Sequence, residues 1–177
     1  DNRRNINKYL EIGPGHGLFS FYSINKLKKL THFTAVDISK TSLNLTINFI
    51  KSLISKNKLI DYEFIEGDFL KIKQNKKKYD LIVCGEVLEH VKNPNKLLNN
   101  INVFLNKNGK VFISTCINCP AIDHVNQFNK VEDITKLFKK SKFKIISQKI
   151  LPVEKVNYTN ALKKKITINY SAILKKN

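Results

Sequence analysis

The feature that most constrains this fold is a short apolar run that leads directly into a glycine-rich turn. The run Lys8–Ile12 precedes Gly13, Gly15 and Gly17, and a segment with helical character, 18–30, follows the turn. Glycine lets the main chain bend tightly and come close to a ligand, because it has no Cβ atom, and the start of a helix presents free N–H groups. The pattern predicts a strand, a ligand-binding turn and a helix, as in sites that bind nucleotide-type cofactors.

Along the rest of the chain, apolar runs rich in β-branched residues alternate with longer helical patterns. Such alternation is typical of repeated strand–helix units around a parallel sheet. The predicted strands are 8–12, 33–37, 61–65, 79–84, 110–115, 143–150 and 167–174, and the predicted helices are 17–30, 40–56, 94–105 and 131–140. We expect an α/β fold with a doubly wound, mostly parallel sheet, in which a loop over 151–166 joins two antiparallel edge strands.

Capping signals support two of these helices. Ser39 or the pair Thr41-Ser42 can cap the second helix, and Asn93-Pro94 opens the helix that starts at 94. Asn108-Gly109 is predicted to end that helix, because Gly is favoured just beyond a helix C-terminus.

The length and hydropathy of the chain limit its class. The 177 residues, 42% of them hydrophobic, suffice for one substantial core, so we expect a single domain over 1–177. No apolar run is long enough for a membrane span, and the start has no secretory signal, so we expect a cytoplasmic protein. The sequence contains no Met and its first strand begins near its first residue, which is compatible with a trimmed chain lacking an N-terminal lid.

The formal net charge of +18 suits an anionic partner such as RNA, a membrane face or an acidic substrate. Nearly all of this charge is Lys, which is scattered with Asn and Ile or placed in runs such as 76–78 and 163–165. That bias favours a solvated surface, so nucleic acid is not the preferred partner.

The three cysteines, Cys84, Cys116 and Cys119, are too few for a disulfide framework. Cys116 and Cys119 have the C-x-x-C spacing, but the chain offers no second pair for a structural zinc site. The sequence therefore favours reduced thiols.

Acidic residues follow the second and third predicted strands. Asp37 ends strand 33–37, 22 residues after Gly15, and Asp68 lies in Glu66-Gly67-Asp68-Phe69 after the third strand. Ligands of open α/β sheets bind at the carboxyl ends of the strands, where an acid can accept hydrogen bonds from ribose hydroxyls. We expect Asp37 to bind a ribose and Asp68 an adenine amine, with Phe69 against the ring; alternatively, Asp37 caps a helix and Asp68 stabilises a turn.

Four motifs follow successive predicted strands: the glycine turn 11–17, Asp37, Gly67-Asp68-Phe69 and Val87-Leu88-Glu89-His90-Val91. Together they resemble the class I S-adenosylmethionine-dependent methyltransferases, and the resemblance spans essentially the whole chain. The resemblance implies a Rossmann-like, seven-stranded sheet with an antiparallel last strand and S-adenosylmethionine as cofactor. By the match, Gly13 and Gly15 flank the methionine part of the cofactor. The predicted cofactor-binding residues are Glu11, Gly13, Pro14, Gly15, Asp37, Ile38, Gly67, Asp68, Phe69 and Glu86.

The segment 85–90 is the predicted site of chemistry. If it is helical, Glu86, Glu89 and His90 lie on one face, where His90 can serve as a general base with Glu86 beside it. The Glu-x-x-Glu-His pattern also resembles small-RNA 2′-O-methyltransferases, in which these residues hold a divalent metal, and ubiquinone-type O-methyltransferases. A divalent metal held by Glu86, Glu89, His90 and His124 is the less favoured alternative.

The loop over 115–128 follows the fifth strand, at the sheet edge where this fold builds substrate contacts. His124 and Asn126 are the predicted substrate-binding residues, and the alternative is an ordered loop capped by Asp123. The favoured function is O-methylation of a small metabolite, and the net charge is compatible with an anionic one. Metal-dependent RNA 2′-O-methylation and a non-catalytic, cofactor-binding partner subunit are the alternatives.

Overall fold

The computed structural model describes residues 5–53, 59–73 and 78–177. In chain order the elements are β1 (Lys8–Ile12), α1 (Leu18–Lys26), β2 (His32–Asp37), α2 (Lys40–Leu53), β3 (Asp61–Glu66), β4 (Tyr79–Gly85), α3 (Pro94–Phe104), β5 (Leu105–Ile117), α4 (Val131–Lys140), β6 (Phe143–Pro152), α5 (Tyr158–Lys163) and β7 (Ile168–Lys176). Within the described residues, no helix combines the length and apolar character needed to cross a bilayer.

The strands form one seven-stranded sheet in the order β3-β2-β1-β4-β5-β7-β6. Strands β1 to β5 pair in parallel with one another, and β7 runs antiparallel to both β5 and β6. The predicted mostly parallel α/β sheet with an antiparallel last strand is confirmed. The strand order reverses between β1 and β4, which is where open α/β sheets bind ligands.

Alternation along β1 assigns its side chains to two separate cores. Tyr9 packs with Phe33 and with residues of α1 and α2 on one face of the sheet. Leu10 and Ile12 belong to a larger core on the other face, together with buried residues of α3 and α4. Strand β1 is buried because both faces of the sheet are covered there. The carboxyl ends of the central strands remain open to a ligand.

Two predicted caps are present. The Ser39 hydroxyl oxygen accepts a hydrogen bond from the Ser42 N–H at 3.2 Å, so Ser39 caps α2. The Asn93 side chain accepts from the Lys96 N–H at 2.9 Å, and Pro94 occupies the first turn of α3. The predicted residues 54–56 at the end of the second helix lie outside the described part of the chain.

The predicted end of the helix that starts at Pro94 is wrong. Helix α3 stops at Phe104, and Asn108 and Gly109 lie inside β5, which begins at Leu105 rather than at 110. Gly109 is needed for packing within the sheet, since a Cβ atom there would lie 2.9 Å from the Tyr79 carbonyl oxygen. The first helix also ends earlier than predicted, at Lys26.

The segment 151–166 is not wholly a loop, because it contains α5. The Asn157 side chain caps this helix by accepting from the Asn160 N–H at 2.9 Å, and Ala161 is fully buried. Six residues span less than two turns, which is too short for the hydrophobic periodicity that identifies longer helices from sequence.

Candidate functional site

A cavity of about 460 Å³ lies at the carboxyl ends of β1 to β4. Its size is within the range of about 300–1,000 Å³ that is typical of small-molecule sites. The lining residues include Ile12, Gly13, Gly15, Val36, Asp37, Ile38, Ser42, Gly67, Asp68, Phe69, Leu70, Glu86, Val87, His90, Val91, Leu97 and Asp123. Eight of the ten predicted cofactor residues are therefore brought together here; Glu11 and Pro14 are not among the lining residues.

The glycine turn forms the β1 side of the cavity. Gly13 and Gly15 have φ values of 65° and 56°, a left-handed region in which glycine is strongly favoured. A Cβ atom on Gly13 would lie 2.7 Å from the Val87 side chain. The Gly13 N–H donates to the Val36 carbonyl at 2.9 Å, so the turn is held against the end of β2.

Asp37 and Asp68 adopt the same local geometry at successive strand ends. The Asp37 Oδ1 atom accepts from the Ser39 N–H at 2.8 Å, and the Asp68 Oδ1 atom accepts from the Leu70 N–H at 2.9 Å. These bonds fix each carboxylate on its loop, as expected for Asp in turns. One oxygen of each carboxylate is used locally, so the other is the one that remains to accept a hydrogen bond from a ligand.

Much of the cavity wall is apolar. Phe69 is buried, and its ring centroid lies 5.3 Å from that of Phe104 on α3. Phe69 was predicted from sequence, whereas the aliphatic lining residues were not: Ile12, Val36, Leu70, Val87, Val91 and Leu97. A flat aromatic or heterocyclic group fits such a wall, with polar contacts supplied by the flanking acids.

Glu11, a predicted cofactor residue, instead belongs to a buried polar cluster outside the cavity wall. Its Oε2 atom accepts hydrogen bonds from the Tyr9 hydroxyl and from the Ser20 hydroxyl, both at 2.6 Å. Burial raises the pKa of the Glu11 carboxyl from its ordinary 4.5 to about 7. This carboxyl joins β1 to α1 and so supports the glycine turn from behind. Pro14 likewise acts through its carbonyl, which accepts from the Gly17 N–H at 2.9 Å.

The Glu86–His90 segment is not helical, so the shared helical face considered for Glu86, Glu89 and His90 does not form. The segment is a turn in which the His90 N–H donates to the Val87 carbonyl at 3.1 Å. Glu86 has a φ of 52°, a left-handed conformation that a right-handed helix cannot contain. Glu86 and His90 both line the cavity, whereas Glu89 does not.

Glu89 is buried behind this turn, with 1% of its surface exposed. Its carboxylate accepts from the Thr115 hydroxyl at 2.8 Å, and its backbone carbonyl accepts from the N–H groups of Val125 and Asn126 at 2.9 Å. Burial raises the pKa of the Glu89 carboxyl, and the nearby Glu86 charge adds to the effect. Glu89 therefore ties the turn after β4 to the loop after β5.

His90 has an orienting partner that the sequence analysis did not assign. Its Nδ1 atom lies 3.1 Å from the Asp123 carbonyl oxygen and 3.4 Å from the Asp123 carboxylate. A carbonyl oxygen only accepts, so Nδ1 is the protonated nitrogen and Nε2 carries the lone pair of the neutral ring. The arrangement suits a general base whose proton-bearing form is stabilised by a carboxylate.

His124 and Asn126, the predicted substrate residues, are not among the residues that line this cavity. The His124 Nδ1 atom lies 2.6 Å from the Cys119 carbonyl oxygen, and its ring centroid lies 4.8 Å from that of His90. The Asn126 side chain donates to the backbone carbonyls of Leu88 and Val91. Both side chains therefore organise the loop that borders the cavity.

The less favoured metal set is only partly assembled. Ligand atoms of Glu89, His90 and His124 lie within 4.8 Å of one another, as do those of Glu86, Glu89 and Cys116. The four predicted metal residues do not form one group of that size among the described residues. Oxygen and imidazole ligands are of the types that bind Mn²⁺, Fe²⁺ or Zn²⁺.

Comparison with known proteins gives a consistent result. Residues 5–165 match the family model described as "Methyltransferase domain". A ubiquinone biosynthesis O-methyltransferase of Pelagibacter ubique is 34% identical over 110 residues, or 61% of this chain and 41% of that protein. The protein of the same name from Glaesserella parasuis is 36% identical over 112 residues, or 61% of this chain and 44% of that protein. The chain thus spans about two fifths of the length of these curated relatives.

Solved structures share the fold. An S-adenosylmethionine-dependent methyltransferase from Clostridium acetobutylicum superposes with a TM-score of 0.71 at 15% identity, covering 99% of this chain and 86% of that one. An O-methyltransferase from a trans-AT PKS multienzyme of Brevibacillus brevis, in complex with S-adenosyl-L-homocysteine, has a TM-score of 0.71 at 20% identity and covers 97% of this chain and 67% of that one.

Proposed function

This chain belongs to the class I S-adenosylmethionine-dependent methyltransferases, and from that membership we propose that it transfers the methyl group of S-adenosylmethionine to a hydroxyl oxygen of a small molecule. The family match spans residues 5–165. The names of the curated relatives, ubiquinone biosynthesis O-methyltransferases, favour oxygen as the accepting atom.

One observation carries this proposal. The glycine turn, Asp37, Asp68 and His90 come from four different strand ends, yet they line one cavity. The turn leaves space for the amino acid part of the cofactor, Asp37 can accept from ribose hydroxyls, and Asp68 can accept from the adenine amine. Two acids and a histidine that converge on one apolar cavity are typical of a small-molecule binding site.

The residues of the chain contribute mainly alignment and exclusion of water. When bound, S-adenosylmethionine would supply an electrophilic methyl group, which the acceptor oxygen would take as the bond from that carbon to the sulfur breaks and S-adenosyl-L-homocysteine is released. The His90 Nε2 atom accepts the proton that the acceptor hydroxyl loses, and the Asp123 carboxylate stabilises the resulting imidazolium. Glu86, at the end of β4, provides a carboxylate on the same side of the cavity.

The loop between β5 and α4 borders the acceptor side of the site in this proposal. Asp123, which lies on this loop, lines the cavity, while Ile122 and Val125 on either side of Asp123 and His124 are exposed. His124 and Asn126 hold the loop in place through backbone carbonyls. We assign His124 and Asn126 to positioning the acceptor loop.

The proposal is tested by methyl transfer from S-adenosylmethionine that carries a labelled methyl group. We expect label to enter low-molecular-weight hydroxyl compounds, with phenols and hydroxy acids as the first panel, and the His90→Gln variant to lose this activity. The exposed His32, at the opposite end of β2, supplies the matched control, His32→Gln. Labelling of amines alone, or of no compound, contradicts O-methylation.

A second candidate function is metal-dependent RNA 2′-O-methylation. The grouping of Glu89, His90 and His124 within 4.8 Å and the net charge of +18 favour it. A metal there lowers the pKa of a bound hydroxyl and so replaces a general base. Chelation with EDTA abolishes turnover under this alternative, whereas turnover persists if His90 acts as the base. RNA binding with a steep salt dependence also supports the alternative.

A further inference from the structure

A cluster of two thiols and an imidazole lies at the end of β5, beside the candidate active site. Ligand atoms of Cys116, Cys119 and His124 all lie within 4.8 Å of one another. All three cysteines of the chain are unpaired, and Cys84 lies in the core, outside this cluster. The chain has no second cysteine pair, but the structure supplies a histidine five residues after Cys119.

The backbone is shaped to bring the two thiols together. Asn118, between them, has a φ of 52°, so the chain turns back sharply after β5. The turn is held on two sides: the Asn118 N–H donates to the Phe128 carbonyl at 2.9 Å, and the Thr167 hydroxyl donates to the Asn118 carbonyl at 3.1 Å. A left-handed residue costs free energy unless its surroundings fix it, so this geometry is specified by the fold.

A hydrogen bond to the backbone fixes the tautomer of His124. Its Nδ1 atom lies 2.6 Å from the Cys119 carbonyl oxygen, which only accepts, so Nδ1 bears the proton. The lone pair of the neutral ring is therefore on Nε2. Metal-bound histidines commonly donate their second N–H to a backbone carbonyl, which fixes the ring and makes the ligating nitrogen more basic.

We propose that Cys116, Cys119 and His124 form a zinc-binding site. Two thiolates and one imidazole are the donors that Zn²⁺ prefers, whereas Mg²⁺ and Ca²⁺ require oxygen ligands. The two thiols release their protons to solvent when the ion binds, and the charges of the two thiolates balance that of Zn²⁺. This balance matters because Cys116 is buried, where an uncompensated charge is costly.

Glu89 lies near two of the three ligands, Cys116 and His124, and is a candidate for the fourth position. A carboxylate oxygen of Glu89 lies within 4.8 Å of a ligand atom of Cys116 in one group and of His124 in another. Glu89 is held by the Thr115 hydroxyl, so its carboxylate is fixed before an ion binds. A water molecule is the other ligand for the fourth position.

The ion acts on the loop that carries Asp123. Cys116 is the next-to-last residue of β5, and Cys119 and His124 lie on the loop that follows, so a shared ion fixes this loop to the sheet. Asp123 immediately precedes His124 and contacts His90. Zinc binding does not depend on the proposed function, whereas its effect on turnover does.

The site is tested on the full chain, reduced and stripped of metal with a chelator. We expect calorimetry to show one Zn²⁺ per chain, and Co²⁺ to give the absorption bands of a thiolate-bound tetrahedral ion. Cys119→Ser and His124→Gln are expected to weaken binding by at least about tenfold. Cys84→Ala is the matched control and retains the affinity of the unaltered chain, and circular dichroism checks that each variant is folded.

The outcomes distinguish this site from the neighbouring group of Glu89, His90 and His124. His124 can give its lone pair to only one ion, so His90→Gln separates the two groups. Loss of binding in His90→Gln with full binding in Cys119→Ser places the ion between Glu89, His90 and His124 and overturns the proposal. Absence of Zn²⁺ binding by the folded, reduced chain, or a Co²⁺ spectrum without thiolate bands, overturns it as well.

Discussion

The Nδ1 atom of His90 lies 3.1 Å from the carbonyl oxygen of Asp123, a residue 33 positions away in the chain. This contact joins the turn after β4 to the loop after β5, and it places the lone pair of the neutral His90 ring on Nε2. Both residues line the cavity. The candidate general base for the acceptor therefore lies beside the proposed cofactor site.

Replacing His90 by Gln is expected to lower kcat by about 10²–10⁴-fold, because a positioned general base is lost. Replacing Asp123 by Ala is expected to lower kcat by less than about tenfold, since the carboxylate is 67% exposed and exposed ion pairs are weak. Steady-state kinetics on both variants measure the difference. Full turnover by His90→Gln contradicts the assignment.

Replacing Asp37 by Ala is expected to weaken binding of S-adenosyl-L-homocysteine by roughly 1–3 kcal/mol, because a charge-assisted hydrogen bond is lost. Asp37→Asn keeps an oxygen for the Ser39 N–H and isolates the effect of charge. Calorimetry gives the affinities, and the exposed Asp61 provides the control variant, Asp61→Ala. An unchanged affinity in Asp37→Ala removes Asp37 from the ribose role.

Replacing Gly13 by Ala is expected to lower the free energy of unfolding by at least about 1 kcal/mol, because the residue has a φ of 65°. The added Cβ atom would also lie 2.7 Å from Val87. Gly67→Ala is the matched control on the same cavity wall, since a Cβ atom there meets nothing within 4 Å. Urea unfolding compares the two variants. Equal stabilities show that the turn tolerates a side chain at Gly13.

The Glu11 carboxyl is expected to make stability depend on pH. Its pKa is about 7 in the folded protein and about 4.5 in the unfolded chain, so the native state retains a proton that the unfolded state releases. The Glu11 contribution to the free energy of unfolding therefore falls as pH rises from about 4.5 to about 7, by about 3 kcal/mol in total, and is constant above that range.

This dependence is measured by urea unfolding across the same pH range. Glu11→Gln keeps an oxygen for the Tyr9 and Ser20 hydroxyls and removes the titration, so its stability is expected to fall less steeply with pH. Glu154→Gln, at an exposed position, is the control and should follow the unaltered chain. Identical slopes for Glu11→Gln and the unaltered chain contradict the buried titration.

The central sheet and the position of the cavity at its carboxyl ends are predictable from sequence, because they depend on local signals. Strand patterns placed Asp37 and Asp68 at strand ends, and parallel strands bring those ends to one edge. The caps at Ser39 and Asn93 are equally local, since each bonds a backbone N–H three residues on.

The features that could not be predicted depend on contacts between residues that are distant in sequence. The spacing of Glu86, Glu89 and His90 fits one face of a helix, but the left-handed Glu86 makes a turn, and Glu89 is buried against Thr115. The pairing of His90 with Asp123 has no local signal. Asn108-Gly109 has the composition of a helix end, yet close packing of Gly109 against Tyr79 places it in a strand.

A crystal structure of the chain with S-adenosyl-L-homocysteine tests the cofactor site itself. We expect one ligand in the cavity, with its ribose hydroxyls hydrogen-bonded to the Asp37 carboxylate and its adenine between Asp68 and Phe69. A ligand bound elsewhere, or an adenosine that contacts neither Asp37 nor Asp68, contradicts the account.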